Sequence, residues 1–284
     1  MALNDNFEVL KYIIVQDERI FIDICERGCG SGCLYCYAPS HNDAQILLDR
    51  KQIKMICAYI KDNYNFDKKI ISLCPNTEPL KSKESIELVL YIIDFFSNEC
   101  CYIQISTKER IPEYFLKRIN VLSNPKIYIN ISIPVICNSS VIEPGAASVK
   151  ERFDNFAMKD IYHNIHFCLY IKPFIMKEQD RNLYLEYINH YQIDTVCIGA
   201  TFDKDCEVPC ISLYNKDKAQ KIYDLQVESI NEFIELLHNT TKAKVFGSSV
   251  CRIYNQYYDI CVLELFRYSE QICKDCSLQR SVPL

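Results

Sequence analysis

The chain has 284 residues, 49% hydrophobic and 24% charged, enough apolar material for one large α/β domain or two smaller ones. Its net charge of −5 lacks the broad basic footprint of a duplex nucleic-acid binder and argues against a nucleic-acid partner. No cationic leader opens the chain and no apolar run is long enough to span a bilayer, so the 17 cysteines read as thiols and metal ligands of a cytoplasmic protein rather than disulfides.

Residues 7–24 carry the pattern of a β-hairpin, with arms Leu10 to Val15 and Arg19 to Ile24 around Gln16-Asp17-Glu18. The second arm runs into Cys29-Gly30-Ser31-Gly32-Cys33-Leu34-Tyr35-Cys36. Thiolates separated by three and then two residues can wrap one centre, and iron–sulfur clusters are held at such spacings. Three ligands leave one iron of a four-iron cluster without a protein ligand, and an open coordination position is where chemistry occurs. A structural zinc loop with Cys25 as fourth ligand is the alternative.

Apolar positions at helical spacing predict a helix over 43–63. The chain then alternates. Strands are predicted at 69–74, 102–106, 127–132, 166–171 and 194–201, with helices at 83–98, 111–119, 147–158 and 177–190. A long helix at 217–238 and a last strand at 242–246 follow. Such alternation implies a parallel sheet with outer helices, a partial (β/α)6 TIM-like barrel with a short cysteine-rich C-terminal extension. The expected organisation is a hairpin cap at 1–19, a barrel core at 20–202 and a C-terminal region at 203–284. Sites in such folds lie at the carboxyl ends of the strands, where the cysteine loop also falls.

Several polar residues follow those ends. Glu78, in Cys74-Pro75-Asn76-Thr77-Glu78-Pro79-Leu80, is either a site residue or part of a helix N-terminus. Ser106, Lys108 and Ser132 end the next two strands. After Glu143-Pro144-Gly145, Ser148 and Arg152 stand four residues apart, as neighbours on one helix face would. Arg152 has a planar fork for a carboxylate, or pairs on the surface with Glu151 or Asp154. Cys251, Cys261, Cys273 and Cys276 form a second constellation that suits a closed four-thiolate site, iron–sulfur or zinc, or simply buried thiols. Cys206 and Cys210 are rival ligands for it. Cys57, Cys74, Cys100, Cys101, Cys137, Cys168 and Cys197 lie in apolar stretches, where Cys is core filling.

Cys29, Cys33, Tyr35 and Cys36 together resemble the signature of the radical S-adenosylmethionine (radical SAM) superfamily. The resemblance implies a [4Fe-4S] cluster whose open iron binds S-adenosylmethionine (SAM) and cleaves it to a 5′-deoxyadenosyl radical. It implies that Tyr35 packs on the adenine, and that Glu78 and nearby carbonyls receive the SAM ammonium, with Asn76-Thr77 where the family usually has two glycines. Thr107-Lys108, Ser132, and Ser148 with Arg152 are similar to the spore photoproduct lyase branch. They imply that Ser106, Lys108, Ser132, Ser148 and Arg152 orient SAM, with Arg152 or Lys108 on its carboxylate. The resemblance further implies a small-molecule or peptide substrate and a reductant such as flavodoxin or ferredoxin. It makes a second [4Fe-4S] cluster at Cys251, Cys261, Cys273 and Cys276 the favoured reading of those residues. Cys74 and Tyr170 are candidate hydrogen-atom donors, or core residues. A cluster- or zinc-binding regulator without turnover, and lyase-like DNA repair, are the competing readings.

Overall fold

The computed structural model describes residues 9–16, 19–36, 38, 42–175, 178–198, 230, 232–246, 249 and 252–253. The chain divides into two compact units, one comprising Met1–Ile131 and Glu143–Phe167, the other Ser132–Ile142 and Cys168–Leu284.

In the first unit, β1 (Ile13–Val15) and β2 (Arg19–Ile22) form the expected antiparallel hairpin, with Ile13 opposite Ile22. A small antiparallel ladder then joins β3 (Cys25–Arg27) to β4 (Ile46–Leu47), closing the base of the cysteine loop. The helix expected from residue 43 therefore begins only at α1 (Arg50–Asn63). Asp49 is the reason. Its carboxylate accepts from the Gln52 amide at 2.8 Å, and the Gln52 side chain accepts from the Asp49 amide at 2.8 Å. This capping box fixes the first turn and leaves Ile46 and Leu47 to pair with β3.

Strand β5 (Ile70–Leu73), helix α2 (Lys83–Phe95), strand β6 (Tyr102–Thr107), helix α3 (Glu113–Asn120) and strand β7 (Lys126–Ser132) follow as predicted, with ends shifted by a few residues. β2, β5, β6 and β7 are parallel neighbours in that order. Register aligns Ile20, Ile71, Ile103 and Ile127 in one row, and Ile22, Leu73, Ile105 and Ile129 in another. Side chains alternate across a strand, so these rows form one apolar face, suited to the buried stripes Ile53/Ile56/Ile60 of α1 and Val89/Ile92/Ile93 of α2. Right-handed crossovers put such helices on the same side of the sheet.

The opposite face is polar, a feature that counting apolar residues per strand conceals. Phe21, Ser72, Gln104 and Tyr128 are level across it. Arg19 reaches over β5 to donate to Gln104 at 3.2 Å, and the Asn130 amide donates to Ser106 at 3.1 Å. Tyr128 stacks on His166 with centroids 4.7 Å apart. Ser72, Gln104, Tyr128 and Asn130 are buried; this layer is a filled floor, leading up to the strand tips.

The second unit holds the short helix α4 (Ser139–Ile142). Helix α5 (Val149–Asp154), back in the first unit, continues into a 3-10 turn at Asn155–Met158, together covering the helix predicted at 147–158. Strand β8 (Ile165–Ile171), helix α6 (Glu178–His190) and strand β9 (Thr195–Ile198) follow, and β10 (Lys244–Phe246) lies parallel to β9. Within the second unit, Tyr184 of α6 donates to the Ile133 carbonyl at 2.6 Å, and Asp180 accepts from the Cys137 amide at 2.6 Å. Most of the helix predicted at 217–238 lies outside the described residues; residues 232–240 are helical. Among the described residues no helix is long and apolar enough to cross a membrane.

The α1 cap gives a direct test of this local reading. Asp49→Ala should lower stability by about 1 kcal/mol, read as a reduced denaturant midpoint with an unchanged m-value.

Candidate metal and nucleotide site

The cysteine loop cannot hydrogen-bond to itself along most of its length, so its partners come from elsewhere in the first unit. The Asp43 carbonyl accepts from the amides of Cys29 (3.2 Å) and Gly30 (2.9 Å). The Thr77 hydroxyl donates to the Gly28 carbonyl at 2.9 Å and accepts from Gln45 at 2.8 Å. Gln45 also donates to the Glu78 carbonyl at 2.7 Å. Gly28 has φ +84°, and a Cβ there would lie 2.1 Å from the Ala44 carbonyl oxygen. Only glycine lets the returning strand come so close.

A second wall approaches from residues 143–152. The Gly145 amide donates to the Ser31 carbonyl at 2.9 Å, and a Cβ on Gly145 would fall 2.5 Å from the Gly30 oxygen. Lys81 donates to the Gly145 carbonyl and pairs with Glu109 at 2.9 Å. Beneath this wall Arg152 donates to Glu143 Oε2 at 2.8 Å, both side chains being buried. Tyr35 donates its phenolic proton to the other oxygen, Glu143 Oε1.

Cys29 and Cys36 are half-buried and Cys33 is buried. Burial pushes the Cys33 thiol up to about 11, against the opposing pull of Lys108, and raises Cys36 as well. The Lys108 ammonium lies 5.7 Å from the Tyr35 ring centroid. Burial opposes its charge, but Cys33, Glu143, Glu78 and Cys29 outweigh that and raise its pKa. Burial first, and then the Glu143 charge, hold the Tyr35 phenol well above 10.

Three thiols on one loop, two of them half-exposed and with a cation beside them, suit a [4Fe-4S] cluster in donor chemistry and charge. Among the described residues no three His, Cys, Asp or Glu side chains are grouped to hold a single metal ion. Cluster thiolates bind separate irons and so stand apart from one another.

The other expected residues divide. Ser106 is half-buried at the β6 tip, two residues before Lys108, and accepts from the Asn130 side chain. Glu78 is buried and its carboxylate already engaged: Oε1 accepts from the Thr107 hydroxyl and the Leu80 amide (3.2 Å), Oε2 from the Lys108 amide (2.8 Å). It thus ties the β5 tip to the β6 tip. Ser148 and Arg152 do not share a face. Ser148 is the exposed N-cap of α5, in a capping box with Glu151, while Arg152 points inward to Glu143 rather than to Glu151 or Asp154. Ser132 belongs to the second unit. Cys74 is buried at φ +58°, with its thiol raised by burial and then by Asp23, Cys25 and Glu78. Tyr170 is half-buried in β8. Cys25 is buried and donates to Thr77 at 3.5 Å, its thiol pushed up to about 12 by burial. Cys206, Cys210, Cys251, Cys261, Cys273 and Cys276 lie outside the described residues.

Sequence reasoning missed Glu143, Thr77, Gln45 and Lys81. Glu143 alone had a local signal, an acid before Pro-Gly nine residues ahead of an arginine. The rest act through partners distant in the chain.

Glu78 makes stability depend on pH. Burial raises its carboxyl above 4.5 despite the hydrogen bonds from Thr107 and Lys108, so the folded chain holds this proton more tightly than the unfolded one. Its contribution is fully present below the unfolded value and is lost as pH rises through the folded one. The stability difference between wild type and Glu78→Gln should therefore move against wild type as pH climbs from 4.5 toward neutrality. Denaturation curves at several pH values would show it, and a pH-independent difference would contradict it.

No protein-family model and no curated protein matches the sequence. Solved structures do. A spore photoproduct lyase variant with bound AdoMet and a dinucleoside spore photoproduct aligns at TM-score 0.57 and 15% identity, over 80% of this chain and 75% of that one. SuiB of Streptococcus suis, bound to its precursor peptide SuiA, aligns at TM-score 0.55 and 11% identity, over 91% of this chain and 55% of SuiB. The enzyme anSMEcpe with bound AdoMet aligns at 0.54 and 14%, over 79% of this chain and 60% of that one. These likenesses, with a mostly parallel sheet and helices between its strands, give the chain the α/β partial TIM-like barrel fold of radical SAM enzymes, with a core like that of spore photoproduct lyase.

Proposed function

We propose that this protein is a radical SAM enzyme whose Cys29, Cys33 and Cys36 hold a [4Fe-4S] cluster. One observation carries the reading. The three thiols sit on a loop leaving the first parallel strand, closed at its base by the β3–β4 ladder, with the Lys108 ammonium beside them. Bound there, a reduced cluster would supply the electron that splits SAM into methionine and a 5′-deoxyadenosyl radical.

The chain's own groups then do the positioning. Lys108 is the cation for the SAM carboxylate, since Arg152 is committed to Glu143. Tyr35 presents its ring to the adenine, and Ser106 offers a hydroxyl to the ribose. Glu78 acts at one remove: it holds the β5 and β6 tips together, and so places Lys108. The backbone carbonyls of Asn76 and Thr77 are left to accept from the SAM ammonium. Hydrogen is taken from a small-molecule or peptide substrate at the strand tips, with flavodoxin or ferredoxin as electron donor. The likeness to SuiB, seen with a peptide, favours the peptide. The net charge of −5 weighs against duplex DNA and hence against lesion repair. Cys251, Cys261, Cys273 and Cys276 are assigned a second [4Fe-4S] cluster.

After anaerobic reconstitution with iron and sulfide, dithionite and SAM should yield 5′-deoxyadenosine, measured by chromatography with mass detection. Cys33→Ala should yield none above the buffer control. Product from Cys33→Ala at the wild-type rate would refute the assignment. Reconstituted protein that binds no SAM would favour a regulator without turnover. Iron content separates one cluster from two: replacing Cys273 and Cys276 with Ala should lower iron per chain by about half, as four-iron clusters require.

A further inference from the structure

Among the described residues of the first unit, one ion pair has both side chains essentially inaccessible to solvent, Arg152 at 1% and Glu143 at 0% exposure. The unit's other described pairs, such as Lys61–Glu99 and Lys150–Asp154, are at least partly open to water and contribute little. A buried pair is costly to desolvate, and an apolar pair of the same volume often serves stability as well. Packing alone therefore gives little reason for this one. What it provides is a fixed acceptor in a dry place, and the cysteine loop uses it: one carboxyl oxygen of Glu143 takes Arg152, the other takes the Tyr35 hydroxyl. Tyr35 lies between Cys33 and Cys36 in the chain, so fixing its ring fixes the backbone that carries two of the three thiols.

The same segment grips the loop a second time through Gly145. Its amide is bonded to Ser31, and its missing side chain lets Gly30 approach. The α5 end is held in turn. The Ala147 amide donates to the Lys108 carbonyl at 3.1 Å, and Asn155 bonds both the Glu109 carbonyl (3.1 Å) and the Ile111 amide (2.9 Å). Glu143 thus stands where the loop, the β6 tip and α5 are joined.

We propose that Glu143 is a positioning residue for the cluster loop. It holds the Tyr35 phenol, and through it the spacing of Cys33 and Cys36, while Arg152 serves to hold the Glu143 side chain in place rather than to bind a ligand. The inference rests on the reading of this loop as a cluster and SAM site. It makes residues 143–152 a second half of the cluster cradle, supplied by a segment distant in sequence from the cysteines.

Removing Glu143 alone would leave a buried arginine without its carboxylate and is expected to cost stability heavily. The test therefore uses paired variants that remove both charges. E143L/R152M has no acceptor for Tyr35, whereas E143Q/R152M keeps a carbonyl oxygen for it. Y35F removes the donor and leaves the ion pair intact. Two quantities are measured on reconstituted full-length protein: the rate at which an iron chelator strips the cluster, followed by its visible absorbance, and the KM for SAM beside kcat for 5′-deoxyadenosine. E143L/R152M and Y35F should each lose the cluster faster, and show a higher KM, by about tenfold, the usual range for groups that orient metal ligands. E143Q/R152M should stay within about threefold of wild type on both measures, because the hydrogen-bond acceptor and not the charge is what the loop needs. Combining Y35F with E143L/R152M should add nothing further, the signature of groups acting as one unit. The inference falls if the two paired variants behave alike, if Y35F matches wild type, or if the effects simply add. Should wild type hold a cluster yet cleave no SAM, the proposed function fails while the chelator rates still decide the role of Glu143. Should wild type take up no iron, both fall together.

Discussion

A loop that carries three thiols in eight residues, with glycines between them, pairs few of its own amides and carbonyls. That shortage organises the first unit. Buried backbone polar groups need partners, and here they come from three directions: Asp43 ahead of β4, Thr77 beyond the β5 tip, itself held by Gln45, and Gly145 on the far segment. Each partner is itself held by something else, so the loop's shape is distributed over residues 28 to 152. Glycine enters only where the approach is too close for a side chain, as at Gly28 and Gly145.

Electrostatics follows the same plan. The carboxylates near the site are bound before any ligand arrives, Glu78 by Thr107 and the Lys108 amide, Glu143 by Arg152 and Tyr35. Neither is placed to meet a substrate directly. They act as struts, each engaged on both oxygens, and they leave the Lys108 ammonium as the charge turned toward the thiols and the Tyr35 ring. The proposed binding of an anionic cluster and a carboxylate-bearing nucleotide is served by that division, since the cation beside the thiols follows a backbone amide held by Glu78. The polar floor beneath the tips, Ser72, Gln104, Tyr128 and Asn130, is buried and closes the sheet from below. The carboxyl ends are where sites lie in barrels of this kind.

Much of this was legible before any coordinates. The order of strands and helices follows from apolar periodicity, and the cysteine spacing marks the loop after the first parallel strand, because both patterns are local. The placement of Ser106, Lys108 and Glu78 at strand tips was equally local. Where reading failed, a neighbouring signal misled. Ile46 and Leu47 have helical spacing with the residues after them, but Asp49 caps the helix behind them and they close the loop as a strand. Ser148 and Arg152 are four apart, yet Ser148 lies outside the helix as its cap, so no common face exists.

Sequence by itself determined the class of the fold, the cysteine loop that follows the first parallel strand and the list of polar tips, since each depends on residues within a turn or a loop of one another. Tertiary structure decided which of those polar groups are engaged and which are left for a ligand. Arg152 could equally have faced solvent or a nucleotide; only the return of Glu143 beneath the loop turns it inward. Glu78 could have been a ligand; the neighbouring strand's Thr107 and Lys108 make it a clasp. The physical reason is the same in both cases. A buried charge takes its nearest partner, and nearness here is set by strand register and crossover, which no single stretch of sequence contains.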